Sequence, residues 1–292
     1  MIINQASLQG IYISFNTIFA AAFAGAKSMW PLVAMKAVST GAVVDYKWLA
    51  NFPAMREWVG ERVVKDLSAF NYTITNKDFE ATVEVDRDSI EDDQIGVYPP
   101  LIQGLAHSAA VHPDQLVFKL LKNGFTGVCY DGQYFFDTDH PVGDASVSNF
   151  GGGAGTPWYL LDLSQPIKPL ILQRRKEPEF VAQDDPTSES VFKRKKFTYG
   201  VDDRKNAGYG LWQLAYGSKQ TLDSDSFGAA YTAMMSLKNE EDDPLGIVPT
   251  HLVVPPTLIG AARKVIKNAL TTGGASNEWA NTVELLEVPW LA

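Results

Sequence analysis

Phe79-Glu80-Ala81-Thr82-Val83-Glu84-Val85-Asp86, followed a dozen residues later by Pro99-Pro100-Leu101-Ile102-Gln103-Gly104-Leu105, is the stretch whose reading decides the fold. In its first part Phe79, Ala81, Val83 and Val85 alternate with Glu80, Thr82, Glu84 and Asp86, the period of two that marks a half-buried antiparallel strand. In its second part the period lengthens: Leu101, Leu105, Ala109, Leu116 and Leu120 follow helical spacing from a diproline start. Lys119 and Lys122 fall in the last turn, and Asn123-Gly124 supplies the stop. Between the two, Asp88 or Ser89 can cap a short helix whose first turn carries Glu91, Asp92 and Asp93 at the positive end of its dipole. Pro113 is expected to kink the long helix or restart it. The fold class is α+β.

Upstream, Tyr12, Phe15, Phe19 and Phe23 recur at spacings of three and four, placing them on one face of a helix that ends by Trp30 and Pro31. That stripe has two possible destinations, the protein's own body or a neighbouring molecule. Phe70, Tyr72 and Ile74 alternate with polar residues, and before them lies an excursion over 51–60 that carries Phe52, Met55, Arg56 and Trp58 between turn formers. It reads either as a projecting interaction arm or as a hairpin over its own core. Downstream, strands are expected at 133–136, 158–163, 167–174, 191–199 and 209–216, with the glycine run 151–155 as a flexible surface loop. Asp223 or Ser224 can cap a helix through Phe227, Ala230, Met234 and Leu237, which runs out in the acidic segment 240–243 before Pro244. Leu252-Val253-Val254 reads as a short buried strand, Pro255-Pro256 opens a helix along Leu258, Ala262, Val265 and Ile266, and a last strand spans 283–288. No internal repeat is visible.

With 292 residues, 46% of them hydrophobic and 20% charged, the chain can bury a sizeable core in one or two subdomains. The net charge of −9 denies it an overall basic field, which argues against a dedicated DNA-binding protein. Cys129 is the only cysteine, so an intrachain disulfide and a cysteine-based zinc site are both excluded, and a reducing cytoplasm fits best. The apolar stretch 11–26, interrupted by Ser14, Asn16 and Thr17, reads as too short for a bilayer span.

Candidate chemistry is sparse. The four histidines stand at 107, 112, 140 and 251, and the five-residue step from His107 to His112 does not put both on one helix face. Asp137-Thr138-Asp139-His140-Pro141 is the stretch with most chemical character, since two carboxylates and an imidazole could hold a divalent ion or share a proton. A tight Asx turn before proline accounts for the same residues. No nucleophile elbow, Cys/His pair or dinucleotide fingerprint is present. The basic runs 193–196 and 174–176 read as solvated strands, as nucleic-acid patches, or as partners for the acidic run 240–243 of a neighbour.

Several long stretches together carry a family resemblance. They are 52–62 (Phe-Pro-Ala-Met-Arg-Glu-Trp-Val-Gly-Glu-Arg), 85–93 (Val-Asp-Arg-Asp-Ser-Ile-Glu-Asp-Asp), 112–117 (His-Pro-Asp-Gln-Leu-Val) and 130–141 (Tyr-Asp-Gly-Gln-Tyr-Phe-Phe-Asp-Thr-Asp-His-Pro), with 212–218 and 252–256 in addition. In this order, and essentially from end to end, the chain resembles the Mu-like prophage major head subunits. The resemblance implies a Hong Kong 97-type major capsid fold and a structural subunit of a tailed phage or prophage, with no catalytic residue, cofactor or metal. It implies a division into an N-terminal arm (1–42), an extended β-hairpin loop (43–87), a spine helix with peripheral-type strands (88–221) and an axial-type domain (222–292). Self-assembly into hexamers and pentamers of an icosahedral shell would follow, with Trp48, Phe52, Met55, Arg56 and Trp58 in the contact between subunits. Scaffold, portal and maturation protease are the implied partners, together with non-specific contact to packaged double-stranded DNA. The implied location is the virion capsid, assembled in the host bacterial cytoplasm. In one departure from the pattern, basic strands precede the last helical unit, where many proteins of this fold return to the peripheral sheet at their end. Two other readings stand beside this one: an encapsulin-like bacterial nanocompartment shell, and a metal-dependent cytoplasmic hydrolase using Asp137, Asp139 and His140.

Overall fold

The computed structural model describes residues 3–46, 49, 72–92, 94–271 and 273–292. Its frame follows from the change of period at residue 86. Strand β4 (Lys77–Asp86) lies antiparallel to β10 (Lys196–Tyr209), which pairs on its other side with β9 (Leu170–Gln183); β1 (Ala34–Val38) completes the sheet parallel to β9, in the order β1-β9-β10-β4. The register opposes Phe197 to Val85, Tyr199 to Val83 and Val201 to Ala81, so the apolar side chains of both strands share one face. Glu80, Thr82, Glu84 and Asp86 occupy the other.

Two helices cover the apolar face. Helix α1 (Gln5–Gly25) starts at a capping box in which Asn4 and Ser7 bond each other's backbone N–H. It buries Leu8, Ile11, Phe15 and Phe19, and Phe15 meets Tyr199 edge-on at 5.2 Å while Tyr12 stacks on Phe180 at 5.8 Å. Each such fully buried ring contributes about 1.5–3 kcal/mol. The aromatic stripe therefore packs on the protein's own body. The helix is longer than the apolar stretch suggested: at 21 residues it passes a length-and-composition test for a membrane span, yet its aromatic face is spent on the sheet and on the second helix.

That second helix, α4 (Pro99–Lys122), is the spine. It continues through Pro113 without the restart that proline could have caused, because proline removes only one hydrogen bond while Val111, Pro113, Asp114, Val117 and Phe118 are all buried around it. The buried face also differs from the expected one. Ile102, Leu105, Ala106, Val117, Phe118 and Leu121 point inward, whereas Leu101 is exposed, because the helix is gripped by α1 on one side and the sheet on another.

Asp114 shows what the 112–117 stretch does. Its carboxylate, 1% exposed, accepts from the backbone N–H of Met29 (2.9 Å) and Trp30 (2.7 Å), pinning the start of α2 (Trp30–Val33) to the middle of the spine. Burial pushes this carboxyl up, against the two backbone donors and the Trp290 side chain. Asp114→Ala strands two part-buried donors and is expected to lower unfolding free energy by about 2–4 kcal/mol. Asp114→Asn keeps one acceptor oxygen and should lose clearly less; equal losses in urea titrations would refute the clamp.

The second sheet, in the order β13-β12-β8-β11-β7, is built from β7 (Phe150–Gly153), β8 (Trp158–Leu161), β11 (Ala215–Lys219), β12 (His251–Val254) and β13 (Glu284–Glu287). All four residues of β8 are buried, so this sheet is covered on both faces. Helix α6 (Ser224–Met235), capped by Asp223, and α7 (Ile259–Ile266) supply Phe227, Ala230, Met234, Ala262, Val265 and Ile266 to its core, as their spacing implied. The chain end turns back onto the spine, where Lys122 donates to the carbonyl of Ala292 at 2.7 Å.

Three local expectations are corrected. Residues 133–136 make only an isolated bridge between Tyr134 and Val128, and Phe135 and Phe136 plug the core instead of extending a strand. Glycines 151–153 belong to the edge strand β7; Gly153 has φ +90, and a Cβ there would stand 2.4 Å from the carbonyl carbon of Lys219. Residues 191–194 are helical, in α5 (Glu189–Arg194), and the strand begins only after Lys195 turns the chain at φ 55.

Candidate functional site

The first candidate lies where the chain enters and leaves the segment between residues 46 and 72. β2 (Val43–Asp45) pairs antiparallel with β3 (Thr73–Thr75), closing the root of the excursion between them. Behind this ladder Gln173, fully buried on β9, accepts from the Tyr46 hydroxyl (2.9 Å) and donates to the carbonyl of Ile74 (3.0 Å) and to Asn76 Oδ1 (2.8 Å). Asn76 in turn donates to Ser39 and Gly41, and the Tyr72 hydroxyl accepts from the N–H of Tyr209 at 2.7 Å. Burial pushes Tyr46 and Tyr72 up to about 12, so both stay neutral hydrogen-bonding groups. A buried polar network with this many satisfied members fixes direction as well as position. The side chains assigned to the subunit contact, Trp48, Phe52, Met55, Arg56 and Trp58, lie outside the described residues.

The second candidate is the segment around His140. This residue opens a small hairpin, β5 (His140–Val142) and β6 (Ala145–Val147), and is fully buried. Its Nδ1 lies 2.6 Å from Asp131 Oδ2 and its Nε2 3.1 Å from Asn149 Oδ1, while the ring stacks on Trp212 at 4.0 Å. Asp137 accepts from the N–H of Tyr134 and of Thr138, three residues back and one ahead and not the two-ahead bond of an Asx turn, and Asp139 is exposed, held above the usual carboxylate value by lost hydration and by Asp137 beside it. The trio Asp137, Asp139 and His140 thus does not converge on one point.

Cys129, Asp131 and His140 converge instead, with ligand atoms within 4.8 Å of one another. They are already bonded among themselves: the Cys129 thiol donates to Asp131 Oδ1 at 2.9 Å, and the same oxygen accepts from the N–H of Gln133. Burial and the Asp131 charge push the thiol well up, which disfavours the thiolate a metal would need. Asn149, 1% exposed, locks the cluster by donating to the carbonyls of Phe135 (2.8 Å) and Ala215 (3.2 Å). The arrangement is a structural clip that fastens the 126–150 segment to the second sheet. The sequence carries no signal for Asp131 or Asn149, since each lies nine residues from His140 with no periodic relation to it.

The clip has a pH signature. Burial raises the Asp131 carboxyl, but hydrogen bonds from His140 and Cys129 outweigh it, and the net position is below the usual 3.8. A carboxyl depressed in the folded state stabilises fully above its unfolded value and loses that stabilisation as pH falls through its folded value. Urea midpoints measured from about pH 5 down to about pH 2 should therefore fall more steeply for the unaltered chain than for Asp131→Asn. Parallel curves would show that Asp131 contributes nothing.

The basic runs are largely neutralised within the chain. Lys193 pairs with Glu189, Lys196 with Glu84 at 2.7 Å, Arg174 with Glu177, and Lys176 with Asp202 at 2.6 Å. Exposed pairs of this kind contribute little to stability, about 0–1 kcal/mol each, but they remove the field that a nucleic-acid patch needs.

The family model of the Mu-like prophage major head subunit gpT matches residues 8–291. The chain belongs to that family. The head subunit is 39% identical, over the full length of both chains, to the major capsid protein of Escherichia phage Mu. Its structure is similar to a chain of the bacteriophage JBD30 procapsid, with TM-score 0.90 and 44% identity over 99% of this chain and 100% of that one. It is also similar to a chain of the JBD30 capsid, with TM-score 0.80 and 35% identity over the whole of both. The head subunit therefore has the Hong Kong 97-type α+β fold and is the major capsid protein of a tailed phage or prophage, located in the virion capsid. It is a structural protein and not an enzyme, so the hydrolase reading of Asp137, Asp139 and His140 falls, as does the nanocompartment reading.

Proposed function

We propose that the head subunit builds hexamers and pentamers that close into an icosahedral shell around double-stranded DNA, assembling in the cytoplasm of a host bacterium. The observation that carries this reading is the full-length likeness to chains of both the JBD30 procapsid and the JBD30 capsid. The division into arm (1–42), loop (43–87), spine and peripheral strands (88–221) and axial-type unit (222–292) is kept with two adjustments suggested by sheet membership. β4 goes with the peripheral sheet, and β7, β8 and β11 go with the axial-type unit.

In this reading the segment rooted at β2 and β3 lies over the adjacent subunit and places Trp48, Phe52, Met55, Arg56 and Trp58 in the contact. Many modest contacts repeated over a closed shell give it a stability that no pair possesses. The net charge of −9 fits DNA held by confinement and counterions, with little reading of sequence. Scaffold, portal and maturation protease are the expected assembly partners. Electron microscopy of the purified subunit across a concentration series is the test: closed particles of uniform size are expected, and a subunit that stays monomeric at every concentration, with or without a co-expressed scaffold, would overturn the proposal.

A further inference from the structure

The β9–β10 hairpin ends in α5, capped by Ser188. Val191 anchors this tip in the core beneath α1, where it is 1% exposed, but its neighbour Phe192 is 84% exposed, the largest exposure of any big apolar side chain among the described residues. Lys193, Arg194 and Lys195 follow it directly; Lys193 is occupied by Glu189, and Arg194 reaches Glu84 only at 4.0 Å. The tip is an apolar knob with a cationic collar.

The same molecule carries a groove of matching character. It has a volume of about 870 Å³ and lies between the first half of α1 and the end of β9, with Tyr12 and Val181 offering apolar surface, Leu8 and Phe180 largely buried behind them, and Glu179, Asp184 and Asp185 among its lining. No basic side chain lines it among the described residues. Burial and the adjacent Asp185 charge push the Asp184 carboxyl up, whereas Glu179 already has Lys176 at 3.2 Å. Phe192 does not line this groove in its own chain.

We propose that the Phe192 tip of one head subunit docks into the groove between α1 and the end of β9 of a second copy, with Arg194 and Lys195 facing its Asp184 and Asp185. The inference rests on the reading that the chain assembles with itself. The tip is cationic and the groove carries carboxylates, a charge complementarity that selects a partner and sets its register. Knob and groove are different surfaces, so the contact is heterologous and repeats around a rotation axis until it closes, as a shell requires.

Three variants of the full chain test it, each beside the unaltered subunit: Phe192→Ser, Asp184→Arg, and the swap Asp184→Arg with Arg194→Asp. Phe192 is in water, so Phe192→Ser should unfold at the unaltered midpoint while its yield of closed particles falls roughly tenfold or more, because one weakened contact is repeated throughout the shell. Asp184→Arg should lower the yield similarly, and the swap should recover most of it. Phe192→Ser particles at unaltered yield, or a swap that recovers nothing, would overturn the docking while leaving the shell reading intact. Failure of the unaltered subunit itself to form particles would instead overturn the shell reading, and the docking with it.

Discussion

A subunit carrying Arg56→Ala together with Trp58→Ala is expected to stay folded and soluble and to form no closed shells. Tryptophan and arginine are the side chains on which interface energy concentrates, often about 2 kcal/mol or more apiece when centrally buried. Both belong to the stretch between β2 and β3, strands that the Tyr46–Gln173–Asn76 network holds in place. The described bonds of that network are made by Ser39, Gly41, Tyr46, Ile74, Asn76 and Gln173, so truncating Arg56 and Trp58 should leave it intact, and every subunit of a shell would lose the same contact at once. Sedimentation velocity should show a single slow species and negative-stain images an empty field, with a thermal midpoint close to the unaltered one. Particles of normal size and number from the double variant would remove these residues from the contact.

The largest effect on stability is expected at a pair that the alternating pattern conceals. Asp203 and Lys205 stand two residues apart on β10, on the face turned toward the spine, and are 6% and 1% exposed. Lys205 donates to Asp203 and lies 5.5 Å from the centre of the Phe79 ring, while Asp203 Oδ1 has no hydrogen-bond partner. Burial pushes the Lys205 ammonium down, against the pull of Asp203. Lys205→Ala leaves a buried carboxylate without its counter-charge and is expected to lower unfolding free energy by about 3–5 kcal/mol. Replacing both partners, with Asp203→Leu and Lys205→Met, removes two desolvation penalties together and should come out near neutral or stabilising. Urea denaturation of the two variants decides the matter: a double variant as damaged as Lys205→Ala would mean that volume, not charge, is what the site requires. A lysine depressed on folding also makes stability rise with pH between its folded value and 10.5, and the double variant should lack that rise.

Where side-chain period and capping chemistry agreed, the elements formed as read. The alternation at 79–86, the Asp223 cap, the buried Leu252-Val253-Val254 and the diproline helix start at 255–256 depend on interactions within a few residues, and local physics suffices for them. Errors fell where partners are remote. Val191 and Phe192 look like strand residues by composition, yet the turn is helical and draws Val191 into the core with the remote Leu8, Ile11 and Phe180. The glycine run looks like a loose loop, yet a Cβ on Gly153 would stand 2.4 Å from the Lys219 carbonyl carbon. The chemical-looking Asp137-Thr138-Asp139-His140 sent attention to sequence neighbours, whereas His140 bonds Asp131 and Asn149.

From the order of its periods and the long stretches at 52–62, 85–93, 112–117 and 130–141, the sequence alone determined an α+β capsid subunit with no evident catalytic apparatus. Only the tertiary structure decided that the aromatic stripe of α1 packs on its own sheet, that Asp114 ties the spine to α2, and that Phe192 stands in water opposite in character to an acidic groove. The reason is physical: period and capping are properties of adjacent residues, whereas burial, hydrogen-bond satisfaction and surface complementarity exist only once distant segments have been brought to fixed distances.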